Sequence, residues 1–300
     1  MKLGLQIPDF NWPGGDAAIG STFARVVRDA DDAGFDSLWV MDHFFQIPGI
    51  GAAEEPMLEG WSALAFAAGL TSRVTLGLMV GGIHYRQAGL WAKLATTLDV
   101  LSGGRAWLGI GAAWNEQESK ALGFPMPPLG QRFEMLEETL QIVHEMWEGD
   151  RGTGRPFRGR HYQLERMLNS PQAVRRPHPP IMIGGGGERK TLRLVAQYAD
   201  ATNVFGGPDM LRHKYAVLRE RCDEVGRSWD EIERSNLNSF RVAGGGGGEG
   251  VSPAEMVDRI GAWHDAGSQH VIFSVRNVAE PGILELIGRD VVPQVHGMDR

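Results

Sequence analysis

The 300-residue chain has one cysteine, Cys222, so an internal disulfide is excluded. It has no apolar run approaching the roughly eighteen residues that a membrane-spanning helix needs. It has no basic excess. Thirty Lys and Arg stand against 37 Asp and Glu, a net charge of −7, which speaks against nucleic acid as the main partner and against a polybasic membrane anchor. The apolar stretch at residues 1–7 is too short for a signal peptide and stops at Pro8. Metal-ligand spacing is missing too: His144-Glu145 lacks a second histidine four residues on, and the nine histidines are scattered. No Gly-x-Ser-x-Gly elbow occurs, and Cys222 lies in a helical pattern far from any strand end. The expectation is a globular cytoplasmic protein that binds no metal.

What is present is a repeat. Aliphatic runs at 3–7, 37–41, 74–80, 106–110, 180–183, 201–205, 234–242 and 269–274 mostly lack strict alternation, as strands buried on both faces should. Helical patterns at 18–33, 59–70, 89–101, 131–147, 188–199, 209–225, 253–266 and 281–289 separate them. The first places Ile19, Phe23, Val26, Val27 and Ala30 on one face and ends at Gly34. Ser252-Pro253-Ala254-Glu255 combines a cap, a first-turn proline and a capping-box glutamate. Eight strands alternating with eight helices predict parallel strands with right-handed crossovers. The fold class is therefore α/β, a (β/α)8 TIM barrel with insertions at the C-terminal face, in one domain over residues 1–300. An open doubly wound sheet has the same alternation. The main interruption is 148–179, rich in Gly, Pro and Arg, with a short strand expected at 161–164.

In such a barrel, chemistry sits where strands run into helices. Gly184, Gly185, Gly186 and Gly187, followed by Glu188, Arg189 and Lys190, lead from a strand into a helix. That context suits backbone N–H groups aimed at a phosphate, with Arg189 adding charge; a tight turn of small residues is the plainer reading. Gly109, Gly111 and Ala112 suit a crowded barrel mouth or a planar ligand lying on backbone; the set lacks a third glycine for a dinucleotide fingerprint. Asp42-His43 ends the second strand, where a histidine can donate to a flavin-like carbonyl or move a proton, or simply brace a loop. His84, Tyr85 and Arg86 follow the third strand, and Arg86 reads as an anion-pairing residue. Glu116 and Glu118 read as acidic residues favoured by a helix N-terminus rather than as an acid–base pair. The glycines at 244–248 read as a spacer, or as a lid over the mouth.

In their order, Trp39-Val40-Met41-Asp42-His43-Phe44, Glu59-Gly60-Trp61, residues 98–105 (Leu-Asp-Val-Leu-Ser-Gly-Gly-Arg), 108–114 and 179–185 resemble the luciferase-like monooxygenase superfamily. Within it they resemble the branch that uses the deazaflavin coenzyme F420. The resemblance implies a ring system in the mouth with His43 beside it, and Asp42, Gly109, Gly111 and Ala112 around it. It further implies a non-proline cis peptide at Met79-Val80 backing the ring. The cofactor phosphate would lie on residues 184–187 with Arg189. Trp12, Phe44, Trp61 and Trp114 are candidate walls of a substrate pocket, with core packing as the alternative for each. One departure stands out: the proton-donating glutamate of relatives acting on sugar phosphates or alcohols falls here on Trp114, so no acid–base partner for His43 is identified. The implied activity is F420-dependent hydride transfer with a small-molecule substrate, in a homodimer. FMN-dependent monooxygenation and cofactor binding without turnover are the alternatives.

Overall fold

The computed structural model describes residues 1–244 and 249–298. The glycines at 245–248, and with them most of the expected spacer or lid, lie outside the described residues. Strands β1 (Lys2–Ile7), β2 (Ser37–Val40), β3 (Thr75–Leu78), β4 (Gly81–Gly82), β5 (Leu108–Gly111), β6 (Phe157–Arg158), β7 (Gln163–Leu164), β8 (Ile181–Gly184), β9 (Ala201–Val204), β10 (Glu233–Phe240) and β11 (His270–Val275) succeed one another. Nine of them form one sheet in the order β3-β2-β1-β11-β10-β9-β8-β5-β4, every pair parallel. The two ends of that order meet: Leu76 bridges Ala106, so β3 also touches the stretch entering β5. The nine strands thus fill eight positions of a barrel, with β3 and β4 sharing one.

The third stave is where sequence and structure part. The apolar run 74–80 predicts one strand, but the non-proline cis peptide at Met79-Val80 divides it, and only β4 pairs with β5. Gly109 makes the crowding around this break visible, since a Cβ there would lie 1.8 Å from the Leu78 carbonyl oxygen.

Helices α1 (Asp16–Ala33), α2 (Gly60–Ala68), α3 (Ala88–Ser102), α4 (Glu116–Leu122), α5 (Leu129–Trp147), α6 (Thr191–Tyr198), α7 (Pro208–Val225), α8 (Pro253–Asp265), α9 (Ile283–Asp290) and α10 (Val292–His296) alternate with the staves. Helix α1 buries the expected face and ends at Gly34 in the left-handed region, φ 86°. Ser252 caps α8 by accepting from the Glu255 N–H at 3.2 Å. Helices α4 and α10 were not expected, because at seven and five residues each is too short for a periodic apolar face.

The 148–179 insertion does not rise over the mouth. It holds the small antiparallel pair β6–β7, which covers only half of the expected strand at 161–164. Its remainder packs outside α3 and α5. Glu138 accepts the N–H groups of Arg160, His161 and Tyr162, and Asp99 accepts those of Val174 and Arg175 at 2.7 and 2.9 Å.

Most buried apolar side chains belong to one cluster between the strands and the helices. A second cluster of Trp39, Met79, Trp107, Met182, Ala201 and Ile272 lies apart from it. At the N-terminal end of the staves, a polar chain links four of them. Lys2 bonds Glu233 at 2.6 Å, Glu233 meets His270 Nδ1 at 2.8 Å, and His270 Nε2 meets Ser37 Oγ at 2.8 Å. The Trp39 indole N–H donates to the same hydroxyl.

Candidate active site

The C-terminal ends of β2, β4, β5, β8 and β9 converge on a cavity of about 430 Å³. The chain leaves β2 through Met41, Asp42 and His43. Asp42 is buried, and Arg86 grips it with two bonds of 2.7 and 2.8 Å while the Gly82 N–H donates to it at 3.1 Å. Arg86 also reaches Glu59 at 2.7 Å, and Glu59 caps α2 through the N–H groups of Trp61 and Ser62. Asp42 therefore borders the cavity with both oxygens already engaged. It braces the end of β2 against β4.

His43 is placed by a residue the sequence reading assigned to a structural role. Its Nδ1 lies 2.5 Å from Glu118 Oε1. Glu118 is fully buried, and its other oxygen accepts from the Phe44 and Phe45 N–H groups at 2.7 and 3.2 Å. The Tyr85 hydroxyl donates to Oε1 as well. Burial opposes the charge on Glu118, but the bonds from His43 and Tyr85, the His43 charge and the Phe44 N–H outweigh it and hold the carboxyl below its usual range. Burial, with the bond to Glu118 and its charge, pushes the Tyr85 phenol up, so it stays a donor. An ionised carboxylate only accepts, so the network assigns the imidazole proton to Nδ1. Among the described residues no protein group bonds Nε2. His43 thus offers one free nitrogen to the cavity.

The neighbouring His84 is a poor alternative. Burial, reinforced by the charge of Arg132, lowers its pKa to about 4, and its Nε2 is taken by Ser119 Oγ at 2.8 Å. Glu116 and Glu118 diverge because residues two apart on a helix point about 200° apart. Glu116 turns outward to Lys120 at 2.8 Å, and Glu118 turns inward. That phase is the signal from which Glu118 was findable, once α4 was known to start at Glu116.

The floor is Met79 and Val80, joined by the cis peptide at the position expected for it. Val80 packs where a Cβ on Gly184 would stand, 2.7 Å from Val80 Cγ2. Gly111 and Ala112 border the cavity, whereas Gly109, within β5, faces the Leu78 carbonyl at the end of β3 and is not among the residues lining it. At the far end Gly184, Gly185, Gly186 and Gly187 form an open cradle before α6. Gly185 has φ 119°, a conformation other residues avoid, and its N–H donates to the Asn203 carbonyl at 2.9 Å. The N–H groups of Gly186 and Gly187 have no protein acceptor among the described residues. Such a pair of unpaired donors in an open, glycine-lined turn before a helix fits an anion such as a phosphate ester. Arg189 is exposed and lines a separate small depression beside Phe133 instead of the cavity. The nearest cationic stem to the cradle is that of Lys214, whose amine bonds Glu188 at 2.6 Å.

Of the four candidate walls, Trp114 is at the cavity, edge-on to His43 with ring centres 5.5 Å apart. The structure does not bring the others there. Trp12 packs with Phe10 and Phe23, and Trp61 with Trp91, all in the main core. Phe44 is wedged between Tyr85 and Phe124 and supports Glu118 through its N–H. Leu129, Phe133 and Phe205, which sequence did not single out, complete the wall. Their helices and loops carry no motif, so only tertiary placement finds them.

A larger depression of about 730 Å³ opens at the opposite end of the barrel. Part of its charge is spent internally, as in Lys2–Glu233 at 2.6 Å and His296–Asp36 at 3.0 Å, and among the described residues it holds no glycine cradle. The mouth, with its free histidine nitrogen and free N–H groups, is the better candidate.

Comparison with known proteins agrees on the class. A family model described as luciferase-like monooxygenase matches residues 1–243. The chain is 30% identical over 216 residues to the pyrimidine monooxygenase RutA of Acinetobacter baylyi, covering 68% of this chain and 55% of that protein. It is also 30% identical over 220 residues to an F420-dependent glucose-6-phosphate dehydrogenase of Nakamurella multipartita, covering 71% and 61%. The match spans less than two thirds of the length of either relative. An F420-dependent secondary alcohol dehydrogenase, solved with an F420–acetone adduct, superposes with a TM-score of 0.81 over 98% of both chains at 18% identity, a likeness of fold. No helix among the described residues is long and apolar enough to cross a membrane.

Proposed function

This chain belongs to the luciferase-like monooxygenase family, and on that premise we propose that it is an F420-dependent oxidoreductase exchanging a hydride with a small organic substrate. One observation carries the reading: a single cavity joins the unpaired N–H groups of Gly186 and Gly187 to the free Nε2 of His43 across the floor of Met79 and Val80. The cradle would hold the cofactor's phosphate, and the Met79–Val80 floor would back its ring. A deazaflavin supplies a hydride donor or acceptor when bound. The rest of the task falls to the protein. His43 Nε2 gives or takes the proton that accompanies hydride movement. Glu118 fixes the tautomer and ring orientation, and its charge stabilises the imidazolium when His43 holds the extra proton. Tyr85 and the Phe44 and Phe45 N–H groups keep that carboxylate in place.

FMN-dependent monooxygenation is the second reading, supported by a pyrimidine monooxygenase relative at the same identity as the dehydrogenase. The cradle suits either phosphate. A carrier without turnover has no use for an oriented histidine, which counts against it. A homodimer in the cytoplasm belongs to the same proposal and is checked by sedimentation. Fluorescence titration with F420 and with FMN separates the first two readings. The proposal expects tighter F420 binding, weakened at least about tenfold in Gly185→Val, because a β-branched residue cannot hold the φ of 119° that shapes the cradle. Tighter FMN binding promotes the second reading, and unchanged affinity in the variant removes the cradle assignment.

A further inference from the structure

The two ends of the cavity differ in chemistry. The glycine end offers N–H groups and suits an anion. Beyond the glycines the wall of the same cavity is apolar: Trp114, edge-on to His43, and Leu129 and Phe205 are 57%, 53% and 61% exposed, and Phe133 and Val80 line it too. Large apolar side chains more than half exposed around one opening mark a binding surface rather than packing. No lysine or arginine is among the residues lining the cavity. Arg86, under the floor, is neutralised by Asp42 and Glu59. Lys214 is held by Glu188, and Lys190 lies outside, over the Phe133 ring at 5.4 Å. An anionic substrate at the His43 end would therefore lose its hydration with no opposing charge to replace it.

We infer that the site selects a neutral, apolar carbonyl or conjugated alkene compound, its aromatic or branched body packed on Trp114 and Phe205, and rejects phosphorylated sugars and other anions. The carbonyl or alkene part rests on the function proposed above, because a hydride and the His43 proton add across such a double bond. The apolar part rests on the wall alone. Leu129 and Phe133 close the third side, where a charged replacement would alter selectivity without touching the cradle.

Calorimetric titration of the F420-loaded protein with acetophenone and with glucose 6-phosphate tests this, and F420 affinity is measured separately by fluorescence. Saturable acetophenone binding is expected, with no saturable glucose 6-phosphate binding at tenfold higher concentration. Phe205→Ala and Trp114→Ala should each weaken acetophenone at least tenfold, and Trp114→Phe should restore most of the loss. Both side chains are exposed, and melting curves report whether each variant is folded. Glucose 6-phosphate binding tighter than acetophenone, absence of saturable acetophenone binding, or unchanged affinity in both alanine variants overturns the inference while leaving the F420 reading standing. If F420 fails to bind but acetophenone still binds the protein and depends on Phe205, the F420 reading falls and the apolar specificity stands.

Discussion

At the mouth, His43 Nδ1 lies 2.5 Å from Glu118; at the opposite end of the same barrel, His270 Nδ1 lies 2.8 Å from Glu233. Both carboxylates are held below their usual pKa range. The pairs differ in what the second ring nitrogen meets. His270 Nε2 is closed by Ser37 Oγ, and its side chain is 2% exposed. His43 Nε2 faces the cavity from a side chain that is 14% exposed. The carboxylates also differ in what they tie together. Glu118 gathers the loop after β2, whereas Glu233 ties β10 to β11 through His270 and to β1 through Lys2. On the proposed function, one chemistry serves as a proton site where a nitrogen is left over, and as a staple where none is.

Exchanging the losses is the sharpest way to break this contrast. His43→Ala should cut turnover by roughly 10²–10⁴, the usual range for a lost acid–base group, with the smaller loss of stability, because Tyr85 and the Phe44 and Phe45 N–H groups still bond the buried Glu118 carboxylate. His270→Ala should do the reverse, costing on the order of 3 kcal/mol of stability because Glu233 keeps a charge in a largely buried site, with turnover per folded molecule retained. Loss of activity without loss of stability in the second variant would dissolve the distinction. Acid unfolding sharpens it further. Burial opposes the Glu233 charge, yet His270 and Lys2 lower its pKa from 4.5 to about 2. The stabilisation, about 3 kcal/mol, is complete above pH ~4.5 and is lost as the pH falls towards 2. Urea unfolding at pH 7 and pH 3 should show part of that loss, and Glu233→Gln should flatten it.

An effect of similar size or smaller is expected for Glu118→Gln, which keeps the shape but not the charge that fixes the His43 tautomer: turnover falls between about 10-fold and about 10⁴-fold. Its pH–rate profile should also lack the acid limb that protonation of Glu118 gives the wild type, below the ordinary carboxyl range. A merely structural Glu118 would change melting and leave the profile's shape alone. Glu116→Ala, two residues away and facing water, should leave melting and turnover unchanged.

The staves were legible because strands buried on both faces read as continuous aliphatic runs, and His43 was legible because it ends one. The division of the third stave was not, since hydrophobicity runs unbroken through Met79 and Val80; the family resemblance located the cis peptide there. Glu118 stayed hidden because two carboxylates in a first helical turn look alike until the helix phase is known. Trp12 and Trp61 illustrate the converse. Aromatic residues near strand ends advertise a pocket, but only tertiary packing reveals that both are core. The most recognisable segment, 98–105, is architectural. Asp99 latches the insertion, and Arg105 bonds the carbonyls of Ala68, Thr71 and Val74 at the end of the barrel away from the mouth.

Crystals grown with oxidised F420 would locate the cofactor outright. Density is expected for the phosphate against the N–H groups of Gly186 and Gly187, and for the ring on Met79 and Val80 beside His43. An empty mouth with the molecule seated in the depression near Lys2 and Arg175, or elsewhere on the surface, would contradict the proposed site.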